Sequence, residues 1–289
     1  MVSGKTINLA VIGDPIAHSM SPQMHNAAIE AAGIDYIYTA CHVKEGHLQE
    51  AVDGFAALGF RGFNVTIPYK QTILPLLDAL DDAAKMIGAV NTVVIKDGRK
   101  KGYNTDAAGF LSPLKAQGMS VKGKRAVVFG AGGAARAVLY GLISAGAQCL
   151  TVGARNEEKA KALASSFQEM REIAAHEWHK ESFAAAIREA DLIVNTTPLG
   201  MHPGEDETVP IVWDDVRREA IIYDIIYTPA VTRFLREAKE HGCKTINGEA
   251  MLVGQGAEAF HLWTGTEPNR QVMTDALRKA LQSKQSAMH

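Results

Sequence analysis

The sequence predicts an α/β protein in two domains, each built on a mostly parallel sheet. Three observations carry that expectation. The chain has 289 residues, long for one core. Strand-like runs alternate with amphipathic helical patterns for most of its length, the mark of βαβ units. A glycine-rich turn at 130–135 sits between an apolar run and a helical pattern.

In the first half, strand-like runs fall at 7–12, 36–43, 62–67 and 90–96, with helical patterns at 21–32, 45–58 and 70–87. Ser21-Pro22 reads as a hydroxyl cap followed by proline at the first helical position. In the run from Phe63 to Lys70, Phe63, Val65 and Ile67 are expected to pack, and Pro68 to end the strand. Asn64, Thr66 and Lys70 then either face water on an edge strand or form one wall of a polar pocket. Residues 96–102 read as a hairpin-like turn. The second half offers strands at 125–129, 148–152, 191–195, 221–225 and 244–246, with helices at 106–117, 133–145, 156–166 and 230–241. From Glu249 onward the pattern is two helices joined near Gly265 and Pro268.

Composition narrows the function. The chain is 47% hydrophobic, and 30 basic against 32 acidic side chains leave a net charge of −2, which argues against nucleic-acid or membrane partners recruited by charge. A small-molecule ligand is the better expectation. The apolar segment at 7–13 is too short and polar for a signal-peptide core, and no apolar run approaches bilayer length, so a cytoplasmic location is expected. Cys41, Cys149 and Cys243 read as reduced packing residues. His176 and His179 read as surface residues, and no histidine pair has metal-ligand spacing, so no metal is expected.

Gly130-Ala131-Gly132-Gly133-Ala134-Ala135 is a G-x-G-x-x-A turn in the context that a Rossmann dinucleotide site requires. Glycines let backbone amides approach a pyrophosphate, whose charge the helix N-terminus favours. An NAD site usually has an acid at the end of the next strand to hold the ribose hydroxyls. Here that strand ends Gly153-Ala154-Arg155-Asn156, with no acid and a planar cation suited to a 2′-phosphate. NADP is therefore expected, with NAD as the weaker alternative. Lys159, one helical turn on, could support the same phosphate.

Three polar clusters interrupt the apolar pattern of the first half: Ser19-Met20-Ser21, then Asn64, Thr66 and Lys70, then Asn91 with Asn104-Thr105-Asp106. Residues at the carboxyl ends of parallel strands converge on one crevice. Hydroxyls, amides, a lysine and a carboxylate gathered there suit a ligand with several hydroxyls and a carboxylate. Singly, each has a plainer use: Ser21 as a helix cap, Asn91 in a turn, Asp106 as an N-cap.

Residues 13–26 (GDPIAHSMSPQMHN), 64–70 (NVTIPYK), 88–93 (GAVNTV), 102–110 (GYNTDAAGF), 130–136 (GAGGAAR), 195–201 (NTTPLGM) and 247–260 (NGEAMLVGQGAEAF) together resemble the shikimate dehydrogenase family, in that family's order and over nearly the whole chain. The resemblance implies a substrate domain at 1–105, completed by helices at 249–289, and a Rossmann NADP domain at 106–248. It implies reversible NADPH-dependent reduction of 3-dehydroshikimate to shikimate, in aromatic amino-acid biosynthesis. By motif, Lys70 matches the catalytic lysine and Asp106 its partner carboxylate. Ser19, Ser21, Asn64, Thr66, Asn91, Tyr227 and Gln255 match substrate-holding positions, with Asp106. Gly130, Ala131, Gly132, Gly133 and Ala134 match cofactor contacts, as do Ala154, Arg155, Asn156 and Lys159. So do Thr196, Ile225 and Gly248, and Asp82 matches an acid near the nicotinamide.

The chain departs from the family at Ala107, where glycine is usual, and in the phosphate loop, where Ala154-Arg155-Asn156 replaces Asn-Arg-Thr. The second change implies looser NADP preference. In the implied mechanism Lys70, as ammonium, gives a proton to the ketone oxygen while Asp106 favours its charge and accepts a hydrogen bond from a substrate hydroxyl. The rivals are a quinate or dual quinate/shikimate dehydrogenase, and a non-catalytic NADP-binding regulator on the same fold. A homodimer suits the family, although no unassigned apolar stripe demands one.

Overall fold

A computed structural model describes residues 2–286. The chain divides into two compact units, one of residues up to 105 together with those from 253 onward, the other of residues 106–252.

The first unit runs β1 (Ile7–Gly13), α1 (Ser21–Ala32), β2 (Tyr36–His42), α2 (Leu48–Ala57), β3 (Gly62–Val65), β4 (Ala79–Leu80), α3 (Asp82–Ile87), β5 (Thr92–Lys96) and β6 (Arg99–Tyr103). Its sheet has the order β2-β1-β3-β5-β6-β4. The strands β2, β1 and β3 are parallel, while β5 runs antiparallel to both β3 and β6. The central β1 is buried from Leu9 to Gly13, which explains its unbroken apolar run. On one face Phe55 of α2 stacks on Phe63 with centroids 4.8 Å apart.

Several local expectations change. The strand expected at 62–67 stops at Val65; Phe63 and Val65 are buried, but Ile67 is 74% exposed and does not pack. Beyond it Pro68 has no N–H to continue a ladder. The helix expected over 70–87 is a series of turns, a 3-10 segment at Leu74–Leu76, the short β4 and then α3. Pro75 limits the first part. Asp81 restarts the helix, its carboxylate accepting from the Ala84 N–H at 2.7 Å. Ser21 is not the cap of α1 but its first residue, and Met20 at the cap makes no side-chain bond. The turn expected over 96–102 is only Asp97-Gly98, with φ of 51° and 75°, and the polar residues after it are the strand β6.

The second unit runs α4 (Asp106–Ala116), β7 (Arg125–Phe129), α5 (Gly133–Ser144), β8 (Cys149–Ala154), α6 (Glu157–Ser165), β9 (Ala174–Glu177), α7 (Glu181–Glu189), β10 (Leu192–Asn195), β11 (Ile221–Asp224), α8 (Arg233–Glu240) and β12 (Lys244–Ile246). All its ladders are parallel, in the order β12-β11-β10-β7-β8-β9. Counted from β7, this is the 3-2-1-4-5-6 order of doubly wound dinucleotide folds. Phe129 centres the core, edge-on to Phe183 at 5.1 Å and Trp178 at 6.2 Å. α9 (Glu249–Thr264) and α10 (Arg270–Ser286) follow, and from Val253 they belong to the first unit.

The sequence reading missed β9 and α7. β9 reads Ala-Ala-His-Glu, without apolar alternation, and His176 on it is half-buried, its Nδ1 3.0 Å from the Ser182 hydroxyl. α7 had a legible signal in Phe183 and Ile187, four residues apart and both buried. The three cysteines are free, but only Cys243 is buried; Cys149 is exposed at the start of β8 and does not pack as expected.

Candidate functional site

In the second unit the site forms where the strand order reverses. β7 lies between β8 and β10, so the loops after these strands diverge and leave a crevice at their carboxyl ends. A pocket of about 310 Å³ occupies it, lined by residues 130–132 after β7, 154–156 and Lys159 after β8, Trp178 after β9, and 196–199 after β10.

The glycines there have specific work. Gly130 has φ +109°, and a Cβ on it would stand 2.6 Å from the Thr196 Oγ1. Gly132 caps α5 in extended conformation, and Cβ atoms on Gly132 or Gly133 would meet nothing within 4 Å. The first turn of α5 thus presents backbone N–H groups to open space, which fits a pyrophosphate. Thr196 donates to the Phe129 carbonyl at 2.6 Å, fixing the opposite wall. Arg155 is exposed at the rim, its guanidinium 5.9 Å from the Trp178 ring centroid. Asn156 caps α6 by accepting from the Lys159 N–H at 3.1 Å.

Ile225, Tyr227 and Gly248 lie outside that lining, at and beyond the end of β11. A Cβ on Gly248 would run into the Ile225 carbonyl, so only glycine permits this approach of two backbone segments. Burial pushes the Tyr227 phenol above its ordinary pKa. Beneath them Asp224 is fully buried. It accepts from the Thr232 hydroxyl at 2.6 Å, the Asn195 amide at 3.1 Å and the Ile226 N–H at 3.1 Å. Burial outweighs these bonds and raises its pKa to about 6. Asp106 is the first residue of α4, in this same unit.

In the first unit, Ser19, Ser21, Asn64, Thr66, Lys70, Asn91 and Gln255 belong to one compact body. Asn64 and Asn91 are buried and are tied together. The Asn64 amide donates to the Asn91 carbonyl at 3.0 Å and to the Thr92 Oγ1 at 2.9 Å. The Asn91 amide donates to the Thr105 hydroxyl at 2.9 Å and to the Gln255 Oε1 at 3.4 Å. Asn91 Oδ1 accepts from the Thr105 N–H at 2.9 Å. Asn104 is spent on the Ala89 carbonyl at 3.0 Å. The backbone N–H of Ser21 donates to Ser19 Oγ at 3.3 Å. Thr66 and Lys70 are half-buried. Asp82 is solvated, in an ion pair with Lys85 at 3.4 Å.

Sequence reasoning missed Tyr38, Thr92 and Trp178, whereas Thr197, Pro198 and Leu199 fall in the segment 195–210 that its Thr, Pro and Gly content marks as able to line or hinge a cleft. Tyr38 donates to Asn64 Oδ1 at 2.6 Å, yet in sequence it is one aromatic in an apolar strand. Trp178 stands between His176 and His179, next to the latter, and gave no sign of facing Arg155.

Three sequence families match the chain. "Shikimate dehydrogenase substrate binding domain" matches residues 11–93, "Shikimate / quinate 5-dehydrogenase" residues 114–242, and "Shikimate 5'-dehydrogenase C-terminal domain" residues 248–278. A shikimate dehydrogenase (NADP(+)) of Carboxydothermus hydrogenoformans is 45% identical over 276 residues, covering 96% of this chain and 98% of its own. The shikimate 5-dehydrogenase of Listeria monocytogenes, solved with shikimate and NAD, superposes with a TM-score of 0.92 at 36% identity, covering 96% of this chain and 98% of that one. The Thermus thermophilus enzyme, solved with NADP(H) and shikimate, gives 0.85 at 40% identity, covering 95% and 100%.

Proposed function

This chain belongs to the shikimate dehydrogenase family, and from that premise we propose that it catalyses the reversible NADPH-dependent reduction of 3-dehydroshikimate to shikimate, a step of aromatic amino-acid biosynthesis. The observation that carries the cofactor choice is the crevice at the strand-order reversal, with Arg155 and no acid at the end of β8. The open first turn of α5 and the close approach at Gly130 fit a dinucleotide pyrophosphate, and Arg155 with Lys159 fits a 2′-phosphate.

The nicotinamide, when bound, supplies the hydride. The rest falls to side chains. Lys70, as ammonium, gives its proton to the ketone oxygen during reduction and takes it back during oxidation. Asp106 accepts a hydrogen bond from a ring hydroxyl. Ser19 and Ser21 hold the ring carboxylate, while Asn64, Thr66, Asn91, Tyr227 and Gln255 grip the hydroxyls. Gly130 to Ala134, Ala154 to Lys159, Thr196, Ile225 and Gly248 would receive the dinucleotide, and Asp82 matches by motif an acid that the family carries near the nicotinamide. In this reading residues 1–105 with 249–289 serve the substrate, and residues 106–248 serve the cofactor. The protein works in the cytoplasm as a homodimer; among the described residues no helix is long and apolar enough to cross a membrane.

The test is absorbance of the reduced nicotinamide, NADPH or NADH, formed by the purified chain, with shikimate and quinate each paired with NADP+ and NAD+. Shikimate with NADP+ should give the highest kcat/KM. Binding of NADP+ without turnover of either acid would refute an enzymatic role, and a higher kcat/KM for quinate would reassign the substrate.

A further inference from the structure

Tyr38 on β2 is 1% exposed and lies behind the residues assigned to the substrate. Its ring stacks on the His25 imidazole with centroids 4.4 Å apart and planes within 10°, and Trp263 lies across it at 6.0 Å. Burial lowers the His25 pKa to about 3, so the stacking partner is a neutral ring. The phenol held by this clamp donates to Asn64 Oδ1 at 2.6 Å.

The direction of the Asn64 bond is forced, because an amide oxygen can only accept. Both hydrogens of the same amide are committed, one to the Asn91 carbonyl and one to Thr92 Oγ1. Turning the amide over would set its N–H groups against the phenol proton and its oxygen against the Asn91 carbonyl. What remains is one lone pair on Oδ1, so Asn64 can offer a ligand only an acceptor. Burial also pushes the Tyr38 phenol well above its ordinary pKa, so the donor keeps its proton throughout the working pH range.

We propose that Tyr38 is a positioning residue for the substrate: it holds Asn64, with the Asn64 oxygen fixed as an acceptor for a hydroxyl of the cyclic hydroxy acid. This rests on the shikimate dehydrogenase reading given above. Tyr38 acts through Asn64 and takes no part in the proton or hydride transfer.

The decisive variant is Tyr38→Phe in the full chain, which keeps the stacked ring and deletes only the donor. KM for shikimate should rise about tenfold, the scale of one lost hydrogen bond at a binding group, while KM for NADP+ and kcat stay within about twofold. Because Tyr38 works through Asn64, the double variant Tyr38→Phe/Asn64→Ala should bind shikimate no more weakly than Asn64→Ala alone. Additive losses, or an unchanged KM for shikimate in Tyr38→Phe, would overturn the proposal. Should Tyr38→Phe not fold, Thr92→Val removes the opposite pin of the amide without touching the aromatic cluster. It should raise the shikimate KM in the same direction, and an unchanged KM would equally overturn the idea. Wild-type protein inert toward shikimate would instead sink the underlying activity, so the two failures are distinguishable.

Discussion

Replacing Asp224 by asparagine should flatten the pH dependence of stability between about pH 4 and pH 6. Asp224 is fully buried, and burial raises its pKa from an ordinary 3.8 to about 6 despite bonds from Thr232, Asn195 and Ile226. An acid whose folded-state pKa is raised binds its proton more tightly when folded. The folded chain therefore carries more protons than the unfolded one in this window, and stability falls as pH rises through it. Below the unfolded value both states are protonated and the penalty is absent; above about 6 it is fully present. A difference of about two pH units corresponds to about 3 kcal/mol. Asparagine keeps an acceptor oxygen for the Asn195 amide and the Ile226 N–H and offers its NH₂ to the Thr232 hydroxyl, without the charge. Urea unfolding of both proteins at half-unit steps from pH 4 to pH 7 measures the effect. Wild type should lose about 3 kcal/mol relative to Asp224→Asn across that range. A difference between the two that does not vary with pH would show that the carboxylate titrates normally and that the three bonds offset its burial.

Three further outcomes follow from the site. Lys70→Ala should cut kcat by about 100- to 10,000-fold with little change in KM, and a KM defect with intact turnover would make Lys70 a binding residue only. Arg155→Ala should raise KM for NADP+ by about 10- to 100-fold, the loss of a charge-assisted bond, and leave KM for NAD+ within about twofold; equal effects on both would remove Arg155 from the 2′-phosphate. Gly248→Ala drives a Cβ into the Ile225 carbonyl, where backbone cannot yield as a side-chain tip would, and should cost about 1–3 kcal/mol in urea unfolding. Unchanged stability would mean that the two segments separate freely.

The motifs made much of the candidate site legible because their chemistry is local. A glycine trio between a strand and a helix, and an arginine where an acid would serve NAD, are read within a few residues of each other. The strands of the second unit were equally legible where they are buried on both faces, since a continuous apolar run has no other ready explanation. Where backbone pairing rather than the apolar pattern decides the strand, the same reading failed. Arg99–Tyr103 forms a strand despite three cations, because the Asp97-Gly98 turn pairs it with β5. Ile67 is exposed despite continuing an apolar alternation, because β3 ends before it.

By itself the sequence determined the α/β class, the glycine-rich turn, the cofactor-selecting position and the identity of the polar residues. Each is a property of residue type and of spacing along one segment. Only the tertiary structure decided how those polar groups are spent. Asn64 looked like one of several residues free to grip a ligand, yet three of its bonds go to Tyr38, Asn91 and Thr92, which lie 26, 27 and 28 residues away. Asp224 looked like the end of a strand, and its full burial among Asn195, Thr232 and Ile226 sets its charge. Hydrogen-bond capacity and desolvation depend on which distant segments close around a group, and short-range sequence pattern carries no record of that.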